Sequence, residues 1–185
     1  MAPRRAAAST ADLRTRFDRW QQAQLAAGRF TLPDSCASYR KRLDEHPDED
    51  MEEQYAFPVP EEIRYSYADL NQDGTLDGLM TFTPEQCDGG NGSMWSQEAV
   101  LLLSHGSGYQ LNDTLRLDQL VASAPPQDGF YHVDSIASNR IYGHYFEFGP
   151  GSGHCCPSLT QAVTFDYRLR KIIHRSANQA EPTPE

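Results

Sequence analysis

Three aspartates, one asparagine and one glycine fall at fixed spacing between Asp69 and Asp77, in the run DLNQDGTLD. Ca²⁺ takes six to eight hard oxygens at roughly 2.3 to 2.6 Å, and a loop with ligands at positions 1, 3, 5, 7 and 9 supplies them, with glycine at position 6 for the sharp turn. In this register the ligands are Asp69, Asn71, Asp73, the Thr75 backbone carbonyl and Asp77, with Ca²⁺ as the cofactor. Carboxylates packed this closely repel one another unless a cation offsets them. The alternative is a tight Asp/Asn/Gly turn between two strands, since the same residue types favour turns without any metal.

The flanks of this loop constrain its setting. An EF-hand needs a bidentate glutamate at position 12, and here that position is Met80. Ile63, Tyr65 and Tyr67 alternate with Arg64, Ser66 and Ala68, and Leu79, Thr81 and Thr83 alternate with Met80 and Phe82. Period two predicts a strand on each side. A strand, a DxNxDG loop and a second strand, YADLNQDGTLDGLMTF in this chain, resemble the calcium-loop repeats of FG-GAP and VCBS-type extracellular proteins. The resemblance spans residues 63–83 and implies an extracellular calcium loop; a structural role for the ion is expected because one closed loop leaves little room for a substrate. Such repeats build propellers in series, whereas this chain carries one copy.

Cys36, Cys87, Cys155 and Cys156 contain no CxxC pair, which argues against zinc ribbons and thioredoxin-like redox sites. Adjacent Cys155 and Cys156 close a strained ring if bonded to each other, and on an extended chain they point to opposite faces. The expectation is therefore two bridges, one of the vicinal pair to Cys87 and the other to Cys36. Four buried thiols are the alternative. The segment Gly153, His154, Cys155, Cys156, Pro157 and Ser158, followed by a strand-like stretch, resembles the CCPS segment of small bacterial secreted and lipid-anchored proteins of the LppP/LprE kind. Those proteins also carry an acidic loop followed by a cysteine, echoed by Asp73, Gly74 and Cys87, and the likeness implies an extracytoplasmic bacterial protein.

Catalytic patterns are weak. No GxSxG elbow is present, and Gly149, Gly151 and Gly153 precede HCCPS rather than a helix, which disfavours a phosphate site. His105, His144 and His154 form no metal-ligand spacing, no paired acid and base stands out, and the expectation is a protein that is not an enzyme. The glycine-rich run from Asp88 ends in Asn91, Ser93, Met94 and Trp95. It reads either as a loop presenting an aromatic anchor to a partner or as a hairpin whose Trp95 enters the core.

Around these residues stand the elements that must position them. Ser9 and Asp12 make a capping box for a helix that places Leu13, Phe17 and Trp20 on one face and ends near Gly28; Pro33 and Asp34 open a second helix bearing Tyr39 and Leu43. Residues 44–53 carry seven acids in ten positions and read as a solvated linker, with a docking strip for a basic partner as the alternative. Strands are expected near 63–68, 78–83, 99–104, 130–136, 141–148, 162–167 and 171–174, while 111–124 is ambiguous. The fold class is mainly β (α+β): antiparallel sheets, partial-propeller or sandwich-like, behind an N-terminal helical segment. The divisions expected are a helical segment and acidic linker at 1–54, a calcium-loop β domain at 55–175 and a disordered tail at 176–185.

Sixteen basic against twenty-six acidic side chains give a formal charge of −10. That balance argues against a nucleic-acid footprint, and an anionic membrane would repel it; no apolar run is long enough for a transmembrane helix. The start, MAPRRAAAST, has the charges of a signal n-region without an apolar h-region, so the chain is either cytoplasmic or the mature part of a periplasmic or secreted protein. The cysteines and the loop favour the second, because cytosolic Ca²⁺ is too low for a loop of the weak extracellular class. The functional expectation is a non-enzymatic calcium-binding protein that recognises another protein, in its concrete form an immunity protein or inhibitor of a basic secreted toxin or cell-wall hydrolase. The alternative is a calcium-dependent hydrolase or carbohydrate-active domain using His105 or His154 as base.

Overall fold

In a computed structural model of the chain, residues 9–46, 53–88, 97–117, 129–148, 157 and 159–176 are described, together with the backbone of 179–180. Helix α1 (Thr10–Ala26) starts at Ser9, whose hydroxyl accepts the Asp12 N–H while the Asp12 carboxylate accepts the Ser9 N–H. This reciprocal box satisfies two donors that a helix N-terminus leaves unpaired. Helix α2 (Pro33–Glu45) opens on proline at its first turn, where a missing N–H costs nothing.

Eleven strands follow among the described residues: β1 (Tyr55–Ala56), β2 (Arg64–Ala68), β3 (Asp77–Phe82), β4 (Glu85–Gln86), β5 (Glu98–His105), β6 (Gly108–Asn112), β7 (Gly129–Ala137), β8 (Arg140–Glu147), β9 (Leu159–Asp166), β10 (Lys171–Arg175) and β11 (Gln179–Ala180). They form three antiparallel sheets: a four-stranded one in the order β2-β3-β5-β6, a five-stranded one in the order β10-β9-β8-β7 with β11 also on β9, and the pair β1-β4. The mainly β class expected from the sequence is the observed one, and of its two forms the sandwich-like one describes the two larger sheets.

The four-stranded sheet is the middle layer of three. Its alternate residues Met80, Phe82, Val100 and Leu102 pack with Leu13, Phe17 and Trp20 of α1 and with Phe30 and Phe57. The intervening residues Ala68, Leu79, Ala99 and Leu101 meet Val133, Ile136, Ile141, Tyr145, Val163 and Phe165 of the five-stranded sheet. A strand covered on both faces loses its polar alternation, and this explains the continuous apolar run Ala99–Leu103. Helix α1 lies tight against the sheet at Gly78, where a Cβ would lie 2.9 Å from the Phe17 ring.

Three expectations change. The tail is not wholly disordered, because Gln179 and Ala180 pair with Thr160 and Leu159. Residues 108–112 form an edge strand that their polar, exposed pattern did not signal. The cysteine pairing is also different: Cys36 of α2 bonds Cys87, just beyond β4, with the two Cα atoms 4.7 Å apart. Neither is then free to reach Cys155 or Cys156, which lie outside the described residues. The physical reason is that α2 docks on the β1-β4 pair, where the Cys87 N–H donates to the Gln54 carbonyl and the Arg40 guanidinium reaches the Cys87 carbonyl and the Glu85 carboxylate.

Candidate functional site

The β2–β3 hairpin turns through residues 69–76, and every side chain singled out there faces into the turn. Asp69 accepts the N–H groups of Asp73 (2.9 Å) and Gly74 (2.8 Å), and the Asn71 side-chain oxygen accepts the same Asp73 N–H at 3.0 Å. One donor shared by two oxygens brings positions 1 and 3 of the loop to the same point. Asp73 accepts the Thr75 N–H (2.8 Å), the Ser104 hydroxyl (2.8 Å) and the Asn71 amide (3.3 Å). The path requires left-handed backbone at Gln72 (φ 61°) and Gly74 (φ 86°); glycine adopts this at no steric cost, which is why it stands at the sixth position.

Asp77 behaves differently from the other three. It is fully buried at the first residue of β3. One of its oxygens accepts the Leu70 N–H (2.6 Å) and the Asn71 N–H (3.3 Å), and the other accepts the Ser104 N–H at 2.6 Å. Asp77 thus fastens the loop to β5, with both of its oxygens accepting backbone N–H groups. Burial pushes its carboxyl above the ordinary aspartate value, and the bonds from Ser104, Leu70 and Asn71 offset only part of the rise. For Asp73, burial also acts upward, but the bonds from Ser104, Thr75 and Asn71 together outweigh it and hold the carboxyl below the ordinary value.

Ser104 joins the site without any motif to announce it. Its N–H serves Asp77, its hydroxyl serves Asp73 and its carbonyl accepts the Asn71 amide at 2.8 Å. The signal available in the sequence was a polar residue closing the apolar run Ala99–Leu103. Tyr109 braces the same loop from β6 through a 2.8 Å bond to the Leu76 carbonyl.

As a donor set, the loop is all oxygen and suits a hard cation. Its oxygens are here engaged by N–H and O–H donors, and among the described residues no three His, Cys, Asp or Glu side chains converge in metal-holding geometry. A carboxylate oxygen with one accepted bond retains a second lone pair, so Asp69, Asn71 and Asp73 are the residues of the loop that could hold a hard cation.

Asn91, Ser93, Met94 and Trp95 lie outside the described residues, as does His154. His105 ends β5 opposite Gly108 and is exposed. An acid and a histidine that the sequence did not pair do meet: His144 Nδ1 lies 2.6 Å from the Asp134 carboxylate. Asp134 is the extra residue of a bulge in β7, between the pairs Val133–Gly143 and Ser135–Tyr142. A bulge re-aims a side chain and breaks the period on which sequence reading depends.

The disulfide points to an oxidising, non-cytoplasmic environment. Among the described residues no helix is long and apolar enough to cross a membrane. No family model, no curated protein and no solved structure matches this chain.

Proposed function

We propose that this chain is a non-enzymatic, extracytoplasmic bacterial protein that holds one structural Ca²⁺ in the loop 69–77 and binds another protein. The observation that carries the calcium reading is the pair of facts at the hairpin tip: an oxygen-only donor set and a fully buried Asp77 that pairs with no basic side chain among the described residues. A divalent cation beside Asp69, Asn71, Asp73 and Asp77 would neutralise that charge and lock the hairpin to β5. Its role is rigidity rather than chemistry.

Isothermal titration of CaCl₂ into chelator-treated protein tests this. One saturable site is expected, lost in Asp73→Ala; no heat of binding at millimolar Ca²⁺ contradicts it.

The partner class follows from charge. A net −10 favours encounter with a basic surface, and the concrete partner is a basic secreted toxin or cell-wall hydrolase that the protein inhibits. Complex formation with a panel of such hydrolases, followed by light scattering at low and high salt in Ca²⁺, should show salt-sensitive binding to at least one. Failure to bind any of them at low salt counts against the inhibitor reading while leaving the metal reading intact.

A further inference from the structure

The inner face of the middle sheet changes character toward one end. Along β2 it reads Ala68, Ser66, Arg64; along β3 Leu79, Thr81, with Thr83 just beyond its end; and along β5 Leu101, Ala99, with Gln97 just before its start. Arg64 pairs with Thr81 and Thr81 with Ala99 across the strands, so the apolar core gives way to polar side chains at the same level. There the two sheets part in a cleft of about 330 Å³. The other wall is the edge of β7. The Gln97 amide accepts the Val133 N–H at 2.6 Å and donates to the Val133 carbonyl at 2.9 Å, and the bulge delivers Asp134, pinned by His144.

We propose that this cleft, lined by Glu62, Arg64, Thr81, Thr83, Gln97 and Asp134, binds a small zwitterion: a free amino acid or a dipeptide with unblocked ends. Arg64 and Glu62 enter no ion pair among the described residues. The planar guanidinium of Arg64 suits a carboxylate in bidentate fashion, and the Glu62 and Asp134 carboxylates suit an ammonium. A phosphate dianion would meet the Glu62 and Asp134 carboxylates, with Arg64 as the one guanidinium and His132 as the remaining titratable group of the lining, and is disfavoured. A pyranose would want an open aromatic face; of the two rings in the lining, Phe82 is 3% exposed and packs toward α1, and the His132 imidazole packs against Phe130 and Phe146. Thr81, itself 3% exposed, and the second amide N–H of Gln97, which bonds no other described residue, provide directional bonds. The volume sits at the low end of the roughly 300–1,000 Å³ typical of ligand pockets, which fits a ligand of this size.

The cleft lies at the opposite end of the β2–β3 hairpin from the loop 69–77, so it stands or falls independently of calcium. The test is a ¹H–¹⁵N titration of the oxidised full chain with Ala-Ala, with N-acetyl-Ala-Ala-amide, with inorganic phosphate and with glucose. Ala-Ala should produce saturable shifts at the amides of Thr81 and Gln97. Its affinity should fall about tenfold or more in Arg64→Ala, the loss of one charge-assisted bidentate contact, and the blocked peptide should bind at least as weakly as that. Arg64 is exposed, so the variant keeps its urea midpoint. The proposal is overturned if Ala-Ala gives no saturable shift, if the blocked peptide or phosphate binds as tightly, or if Arg64→Ala binds unchanged.

Discussion

The Asp77 carboxylate organises the site at the scale of single residues. Asp77→Asn would keep the volume but turn an NH₂ toward the N–H groups of Leu70, Asn71 or Ser104. Leaving a buried donor unpaired costs about 1–3 kcal/mol, so the urea midpoint in EDTA should fall accordingly; an unchanged midpoint would show that Asp77 does not anchor the loop. Asp73→Ala acts at the exposed rim and should cost less in EDTA while removing the calcium response. The pH dependence divides in the same way. Asp77 has its folded pKa raised by burial, so its contribution to stability is present below the ordinary aspartate value and is lost as pH rises through the folded value. Asp73 is depressed, so its contribution is present above the ordinary value and is lost as pH falls through the folded one. A carboxyl ¹³C titration in EDTA should find Asp77 inflecting above the ordinary value, about pH 4, and Asp73 below it; the reverse order would remove this electrostatic account. Asp69 to Asp77 were legible because they are local in sequence. Ser104 and Asp134 were not, since one contributes from a different hairpin and the other from a bulge.

At the scale of elements, periodicity gave most of the strands. Runs such as Ile63–Ala68 and Ile141–Phe148 alternate because one face meets a core, and β2 (Arg64–Ala68) and β8 (Arg140–Glu147) lie on them. The edge strand β6 and the two-residue strands β1, β4 and β11 left no such trace, because their pairing is fixed by neighbours rather than by a buried face. The Ser9–Asp12 box marked the start of α1 correctly. The place where α1 meets the sheet was not legible, and Gly78 defines it. Gly78→Val would drive methyl groups into the Phe17 ring, already 2.9 Å from the Cβ position; overpacking of this kind costs about 1–3 kcal/mol. Combining it with Phe17→Ala should give a loss smaller than the sum of the two single losses, as expected for residues that share one contact. Strict additivity in urea unfolding would place the helix elsewhere.

Across the whole molecule, α1, the four-stranded sheet and the five-stranded sheet form layers, and the Cys36–Cys87 bond ties α2 to the segment after β4. The even cysteine count was readable, but the connectivity was not, because it follows from where α2 docks. The bond closes a sequence separation of 51 residues, for which chain entropy gives about 4 kcal/mol. Cys36→Ala/Cys87→Ala should lose stability on that order in urea unfolding, and a double variant as stable as the parent would deny the bond a structural role. The most direct test of the central claim is thermal unfolding of the oxidised protein, first in excess EDTA and then across a calcium titration. A ligand held only by the folded state raises the midpoint by mass action, so the midpoint should climb with Ca²⁺ in the parent and stay flat in Asp73→Ala. A parent midpoint indifferent to Ca²⁺ would reduce the loop 69–77 to a hydrogen-bonded turn.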